Sequence, residues 1–300
     1  MNQRIFNKVV HINGLKYEFT PYGIKFVKRL ISNDWSYSKI GKLLGISQNT
    51  IAYRCREYGI DKPTKWVGAK KKYPLNEDYF ENIDSPEKAY WLGFIASDGY
   101  INTPKGILEI GLQRQDENHI VKFAKAINTN KPIYQKDSKY KGKTYPSSAL
   151  RIYSRKMIED LSKLGIADRK SLIYKPPTEK QLSKAFTKYY TLGLLDGDGT
   201  ISIMKNNRYM SRFLGTFEVM VFIQQFFNTN VAISECHPGM DKNTYTIAYS
   251  EKPTKKILDY LYDDYSIKFC LRRKYQKYLE ICEIDKKKKG DSEWQLTYSL

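Results

Sequence analysis

Residues 90–101 read YWLGFIASDGYI, and residues 190–201 read YTLGLLDGDGTI. Six of the twelve positions are identical at this offset of one hundred: Tyr, Leu, Gly, Asp, Gly and Ile. A repeat this long marks a duplicated domain, since solenoid units recur every 20–50 residues or so, roughly. Each copy starts as an apolar segment of helical character, ends in Asp-Gly, and enters a strand start, Tyr100-Ile101 or Thr200-Ile201-Ser202-Ile203. Asp84-Ser85-Pro86-Glu87 provides an N-cap and a first-turn proline for the first helix. Gly99 and Gly199 are expected to end the two helices in a left-handed conformation.

WLGFIASDG and TLGLLDGDG resemble the two motifs of a LAGLIDADG homing endonuclease in its single-chain, two-repeat form, over about Asn76 to Asp285. The resemblance implies an α+β fold: a pseudo-twofold pair of αββαββα repeats forming a DNA-binding saddle. A small all-helical helix-turn-helix module is expected to precede it. The expected boundaries are a front module over 1–60, a basic linker over 61–80, repeats over 81–180 and 181–285, and a basic tail over 286–300.

The residue types have a physical reading within that frame. Gly93 and Gly193 lack a Cβ, so the motif helices can pack backbone to backbone, with Ser97 and Gly197 keeping the lower contact thin. Asp98 and Asp198 then come together at the helix C-termini. There each opposes the helix dipole and the other's charge. A divalent cation and a phosphate backbone would offset that cost, which suits a two-metal-type site with Asp98 and Asp198 as ligands. Two core helices ending in Asp-Gly turns are the plain alternative. The sixth motif position is Asp196 in one copy and Ala96 in the other, so Asp196 is read as structural.

Each repeat is expected to continue as two hairpins with helices behind. The first offers GILEIGLQRQ, a helix near 117–127, strands near 133–134 and 149–153, and a helix near 155–164. The second offers ISIMK, SRFLGTF, a helix near 219–227, VAISEC, TYTIAYS and a helix near 254–262. By the resemblance the sheets face DNA, making Gln113, Gln115, Lys136, Arg151, Lys205, Arg208 and Arg212 candidate contacts; each also suits a solvated strand face. A basic residue near the phosphate is expected at Lys170 in IADRKSL and at Arg272 in CLRRKYQ, with Arg273 or Lys274 if the register slips. By the resemblance Gln115 is the expected water-organising residue; the second copy offers Gly215-Thr216 at the matching place and breaks the symmetry.

Charge is concentrated at the front. Of a net +19, residues 1–75 hold fifteen basic and four acidic side chains. There VVHINGLKYEF alternates around Asn13-Gly14 and fits either a short hairpin or a loose leader. WSYSKIGKLLGISQNTIAYRCREYGI then spaces Gly41, Gly45 and Ile51 as in a helix-turn-helix, with Ser47 capping the second helix. Gln48, Asn49, Thr50, Tyr53, Arg54 and Arg56 are expected to face DNA, Gln and Asn suiting adenine and Arg suiting guanine. A helical hairpin with a solvated polar face is the alternative. KPTKWVGAKKKYP, residues 62–74, reads as a linker whose lysines track phosphates or water.

The excess of 51 basic over 32 acidic residues favours a polyanionic partner. No apolar run has the length of a membrane span. The four cysteines form no Cys-x-x-Cys pair and the three histidines are scattered, so metal chemistry falls to carboxylates and a hard, oxygen-seeking cation; the resemblance implies Mg2+ or Mn2+. The expected function is a site-specific double-strand break in a long asymmetric DNA target by metal-dependent hydrolysis. The alternatives are an RNA maturase assisting intron splicing and a DNA-binding regulator without cleavage. A monomer acting on double-stranded DNA, in the cytoplasm of a bacterial or phage-infected cell, is expected. The lack of an intein's terminal residues favours a free-standing or intron-encoded enzyme.

Overall fold

The computed structural model describes residues 3–14, 16–33, 35–60, 72–140, 142–168, 170–240 and 243–297. The chain divides into two units, Met1–Lys72 and Tyr73–Leu300.

In the first unit, α1 (Gln3–Val9) leads into a hairpin of β1 (Val10–Asn13) and β2 (Lys16–Phe19), followed by α2 (Pro21–Ser32), α3 (Tyr37–Leu44) and α4 (Gln48–Glu57). The module is therefore not all-helical. Alternation from Val10 to Phe19 pairs the two strands antiparallel, and Gly14 takes the positive φ of +60° that the tight turn needs. Ser36 Oγ caps α3, Gly45 ends it in a left-handed conformation (φ +69°), and Ser47 Oγ accepts from Thr50 N at 3.1 Å to start α4. Two short helices, Tyr37–Leu44 and Gln48–Glu57, thus flank a left-handed turn at Gly45. Val27, Ile31, Ile40, Leu44, Ile46, Ile51 and Cys55 close a small core with Val9, Val10 and Phe19.

The second unit repeats one order of elements. The first copy runs α5 (Pro86–Asp98), β3 (Gly99–Asn102), β4 (Ile107–Gln113), α6 (Glu117–Ala126), β5 (Tyr134–Tyr140), β6 (Lys143–Tyr153) and α7 (Arg155–Lys163). The second runs α8 (Thr187–Gly197), β7 (Thr200–Ile203), β8 (Tyr209–Gly215), α9 (Phe217–Phe226), β9 (Ser234–Glu235), β10 (Tyr245–Ser250) and α10 (Lys252–Leu261). This is αββαββα twice, an α+β fold. The sheets have matching antiparallel orders, β3-β4-β6-β5 and β7-β8-β10-β9. A final helix, α11 (Arg272–Thr297), runs through most of the expected tail.

The helix–strand junctions differ from expectation. Gly99 has φ −74° and ψ 136°, and neither Gly99 nor Gly199 has positive φ. What these positions require is space: a Cβ would lie 2.7 Å from Ile95 O at Gly99 and 2.6 Å from Leu195 O at Gly199. The expected linker also ends early, because Tyr79 and Phe80 are buried in the body's core. Residues 61–71 lie outside the described residues.

Candidate active site

Both motif helices are buried almost throughout: Ala89–Ala96 in α5 and Tyr189–Asp196 in α8. An apolar helix covered on all sides needs a partner that comes very close, and the two glycines allow it. A Cβ on Gly93 would stand 2.1 Å from Tyr190 O, and one on Gly193 would stand 2.2 Å from Tyr90 O. Further down, a Cβ on Gly197 would meet Ser97 Cβ at 2.4 Å. The helices therefore touch along backbone, and the contact continues to their C-terminal ends.

Asp98 closes α5 and Asp198 caps α8. Solvent reaches both carboxylates, yet the surrounding protein removes enough water to push each above the ordinary carboxylate range. For Asp98 burial is the larger cause, the charge of Asp198 adds to it, and Lys274, Lys170 and Arg273 oppose it. Burial likewise raises Asp198 against Lys170 and Lys274. Among the described residues neither carboxylate has a hydrogen-bond or ion-pair partner. Two hard oxygen donors held together without protein partners fit a divalent cation whose other ligands are water and phosphate. No larger group of His, Cys, Asp or Glu able to hold a metal occurs among the described residues.

Two buried lysines flank the pair in pseudo-symmetric fashion. Lys170 Nζ donates to Ala96 O at 2.8 Å and to Ser97 O, the last carbonyls of α5. Lys274 Nζ donates to Leu195 O at 2.5 Å, Asp196 O at 2.7 Å and Gly199 O at 2.6 Å, at the end of α8. A cation at a helix C-terminus satisfies carbonyls that lack intrahelical partners and meets the negative end of the dipole. Burial lowers both amines to about 8, with Asp98 and Asp198 acting to raise them. Lys274, and not Arg272, thus occupies the place in the second repeat that corresponds to Lys170 in the first. Pairing the Arg-Lys of IADRKSL with the second Arg and Lys of CLRRKYQ supplies that register from sequence alone.

Asp196 is sequestered from solvent. It accepts from Tyr90 Oη at 2.8 Å, Leu271 N at 2.7 Å and Tyr262 Oη at 3.3 Å. His119 Nε2 lies 3.0 Å from the same Tyr90 hydroxyl, among Trp91 and Phe94. Neither His119 nor its tyrosine partner emerges from sequence reading. The repeat of Tyr90 at Tyr190 was the available signal for the tyrosine.

No protein-family model matches the sequence, and no curated protein matches it. Solved structures with similar chain paths do exist. The I-LtrWI LAGLIDADG homing endonuclease bound to target DNA is 9% identical, with a TM-score of 0.39 over 71% of this chain and 92% of that one. The homing endonuclease I-WcaI bound to its DNA recognition sequence is 15% identical, with a TM-score of 0.49 over 71% and 94%. Full-length DUF199/WhiA from Thermatoga maritima is 19% identical, with a TM-score of 0.42 over 71% and 65%.

The other sequence-predicted residues are distributed as follows. Gln115 and Arg272 line a cleft of about 720 Å³ with Asp116, His119, Lys122 and Arg273, and the side chain of Gln115 turns to Gln113 Oε1 at 2.8 Å. Strand register places Gln113, Lys136 and Arg151 on one face of the first sheet, around Glu109. Arg151 pairs with Glu109 at 2.5 Å and Lys136 at 3.3 Å, so both cations are partly neutralised there. In the second sheet Arg212 is exposed opposite Thr200, while Lys205 and Arg208 sit in the β7–β8 connection. In the first unit Gln48, Asn49, Tyr53 and Arg56 are exposed and Thr50 is half-buried. Arg54 is buried, donating to Tyr17 O at 2.5 Å and paired with Glu57. It does not face outward, because a spacing of three from Ile51 puts it on the core side of α4.

Proposed function

We propose that this chain is a site-specific, metal-dependent DNA endonuclease of the LAGLIDADG type, breaking both strands of a long asymmetric target. The observation that supports this most strongly is the convergence of Asp98 and Asp198 at the ends of two helices packed through Gly93 and Gly193. In that arrangement the charge of Asp198 acts on Asp98 and neither carboxylate has a partner among the described residues, which is unfavourable for folding and useful for holding a cation. In this reading Asp98 and Asp198 are the metal ligands. Mg2+ or Mn2+ bound there would polarise a scissile phosphate and acidify a ligated water. Lys170 and Lys274 hold positive charge next to the carboxylates and favour the charge that accumulates on a phosphate during hydrolysis. Gln113, Gln115, Lys136, Arg151, Lys205, Arg208, Arg212, Arg272 and Arg273 stand as candidate contacts to the duplex. In the front module Gln48, Asn49, Thr50, Tyr53 and Arg56 are the candidate readers of a flanking segment. One chain supplies both aspartates and both lysines, so a monomer is sufficient.

The test uses duplex DNA from the encoding locus, rejoined across the coding insertion, with Mg2+ or with EDTA. A double-strand break that requires Mg2+ is the expected result. Specific binding without cutting would instead support a DNA-binding regulator. Binding confined to the transcript of the insertion would support a splicing factor.

A further inference from the structure

The β1–β2 hairpin has an exposure pattern that folding alone does not explain. Its base is anchored by Val10 and Phe19 in the core, yet His11, Ile12, Asn13, Lys16 and Tyr17 beyond that base are all exposed. Ile12 is 54% exposed and Tyr17 37%, so the first of these large side chains of the short ribbon stays largely in water and the second in part. A two-stranded ribbon buries too little to be stable by itself. Arg54 braces it: the guanidinium of this α4 residue donates to Tyr17 O at 2.5 Å and is held from the other side by Glu57. The side chain of Tyr17 meets Phe6 edge-on at 6.3 Å.

The brace brings the ribbon and the exposed side of α4 together around one shallow depression of about 530 Å³. Lys16 and Tyr17 line it from the ribbon, and Asn49, Thr50, Tyr53 and Arg56 from the helix, with buried Arg54 at its floor between them. Charge selects what it can take. Residues 1–60 carry ten basic and three acidic side chains. Of the acids near the depression, Glu57 is paired with Arg54 and Glu18 is half-buried on β2. Lys16 and Arg56 are exposed cations, Asn49 offers a bidentate amide, and Tyr53 and Tyr17 present rings and hydroxyls. Cations and hydroxyls suit phosphates, while an amide suits a base edge.

We propose that the β1–β2 hairpin and α4 form one composite surface for double-stranded DNA, the hairpin tip resting on phosphates beside the segment that α4 reads. Arg54 is a positioning residue that fixes the ribbon to the helix and does not touch DNA. This rests on the reading of the front module as DNA-binding, and adds a second element to it.

The experiment is photocross-linking of the full chain to mixed-sequence duplex DNA, with p-benzoylphenylalanine placed singly at Tyr17, Tyr53 or Tyr22. Tyr22 is an exposed residue of α2 that does not line the depression. Cross-links from positions 17 and 53, and few from 22, are expected. Lys16→Ala should lower the slope of log affinity against log salt by about 0.9, the loss of one phosphate contact. Arg54→Gln should reduce cross-linking from position 17 more than from position 53. Cross-linking from 53 but not 17 would overturn the composite surface and leave DNA binding by α4 standing. No cross-link from either would overturn both. Equal cross-linking from 22 and 17 would also overturn the proposal, because DNA would then not be selecting this face. If Arg54→Gln left position 17 undiminished, the positioning role would fall.

Discussion

Tyr90 in the first motif helix donates its hydroxyl proton to Asp196 in the second, at 2.8 Å. This bond crosses the pseudo-twofold interface and joins the two repeats at a point where their sequences differ, since the residue matching Asp196 is Ala96. Leu271 N and Tyr262 Oη complete the carboxylate's partners from the second repeat. With the Tyr90 proton committed to Asp196, His119 Nε2 must act as donor to the Tyr90 oxygen, and its Nδ1 is left a buried acceptor without a partner among the described residues.

Asp196→Asn should therefore act on stability. An amide has one acceptor oxygen where the carboxylate used two, so a buried donor loses its partner at a cost of about 1–3 kcal/mol. Denaturant melts should show a lowered midpoint, and cleavage should persist below the melting range. Loss of cleavage with unchanged stability would instead place Asp196 in the chemistry.

His119 should make stability depend on pH. Burial lowers it from an ordinary value of 6.5 to about 3, with Lys122 and Lys274 contributing. Between those values the unfolded chain binds the proton and the folded chain does not. Raising pH through that window thus favours folding, and stability is lost as pH falls below 6.5. The slope due to this group reaches about 1.4 kcal/mol per pH unit. His119→Gln should flatten urea-melt stability over the acidic range relative to the parent chain; parallel curves for the two proteins would refute the assignment.

Lys274 and Arg272 should separate cleanly. Lys274→Gln removes a buried cation from four carbonyls at and just beyond the end of α8, and should lower the cleavage rate by about a hundredfold or more. Arg272→Gln, at an exposed position, should leave the rate near that of the parent. Single-turnover cleavage of both variants measures this, and the opposite ranking would restore Arg272 to the site.

Gly93→Ala should be costly out of proportion to one methyl group. The new Cβ would lie 2.1 Å from Tyr190 O, a backbone atom that cannot swing aside, so the helices must separate. A destabilisation of about 1–3 kcal/mol or more is expected, with cleavage reduced further than DNA binding. Gly111→Ala is the control, because its Cβ would meet nothing nearer than Ala149 Cβ at 3.7 Å. Equal urea-melt midpoints for the two variants would argue against close helix packing.

The repeated YxLG…DG pattern made the motif helices, their glycine contact and the position of both aspartates legible, because each feature depends on a short local spacing. Distances along the chain were harder. From Asp198 to Lys274 the count is not the same as from Asp98 to Lys170, so counting from the motif does not choose among Arg272, Arg273 and Lys274; only the local match of Arg-Lys in IADRKSL to Arg273-Lys274 in CLRRKYQ does. Arg54 was misjudged because its charge argued for solvent while its spacing from Ile51 argued for the interior, and Glu57 with Tyr17 O made the interior tolerable. Neutralisation of Arg151 and Lys136 by Glu109 depends on strand register, which no short motif encodes.

The central claim is that Asp98 and Asp198 together form the hydrolytic centre. The direct measurement is strand-resolved cleavage of the rejoined locus in Mg2+ by the parent chain, Asp98→Asn and Asp198→Asn, with duplex binding measured alongside. The account predicts that each variant binds the duplex about as tightly as the parent and makes no double-strand break. Double-strand cutting at the parent's rate by both variants would contradict it.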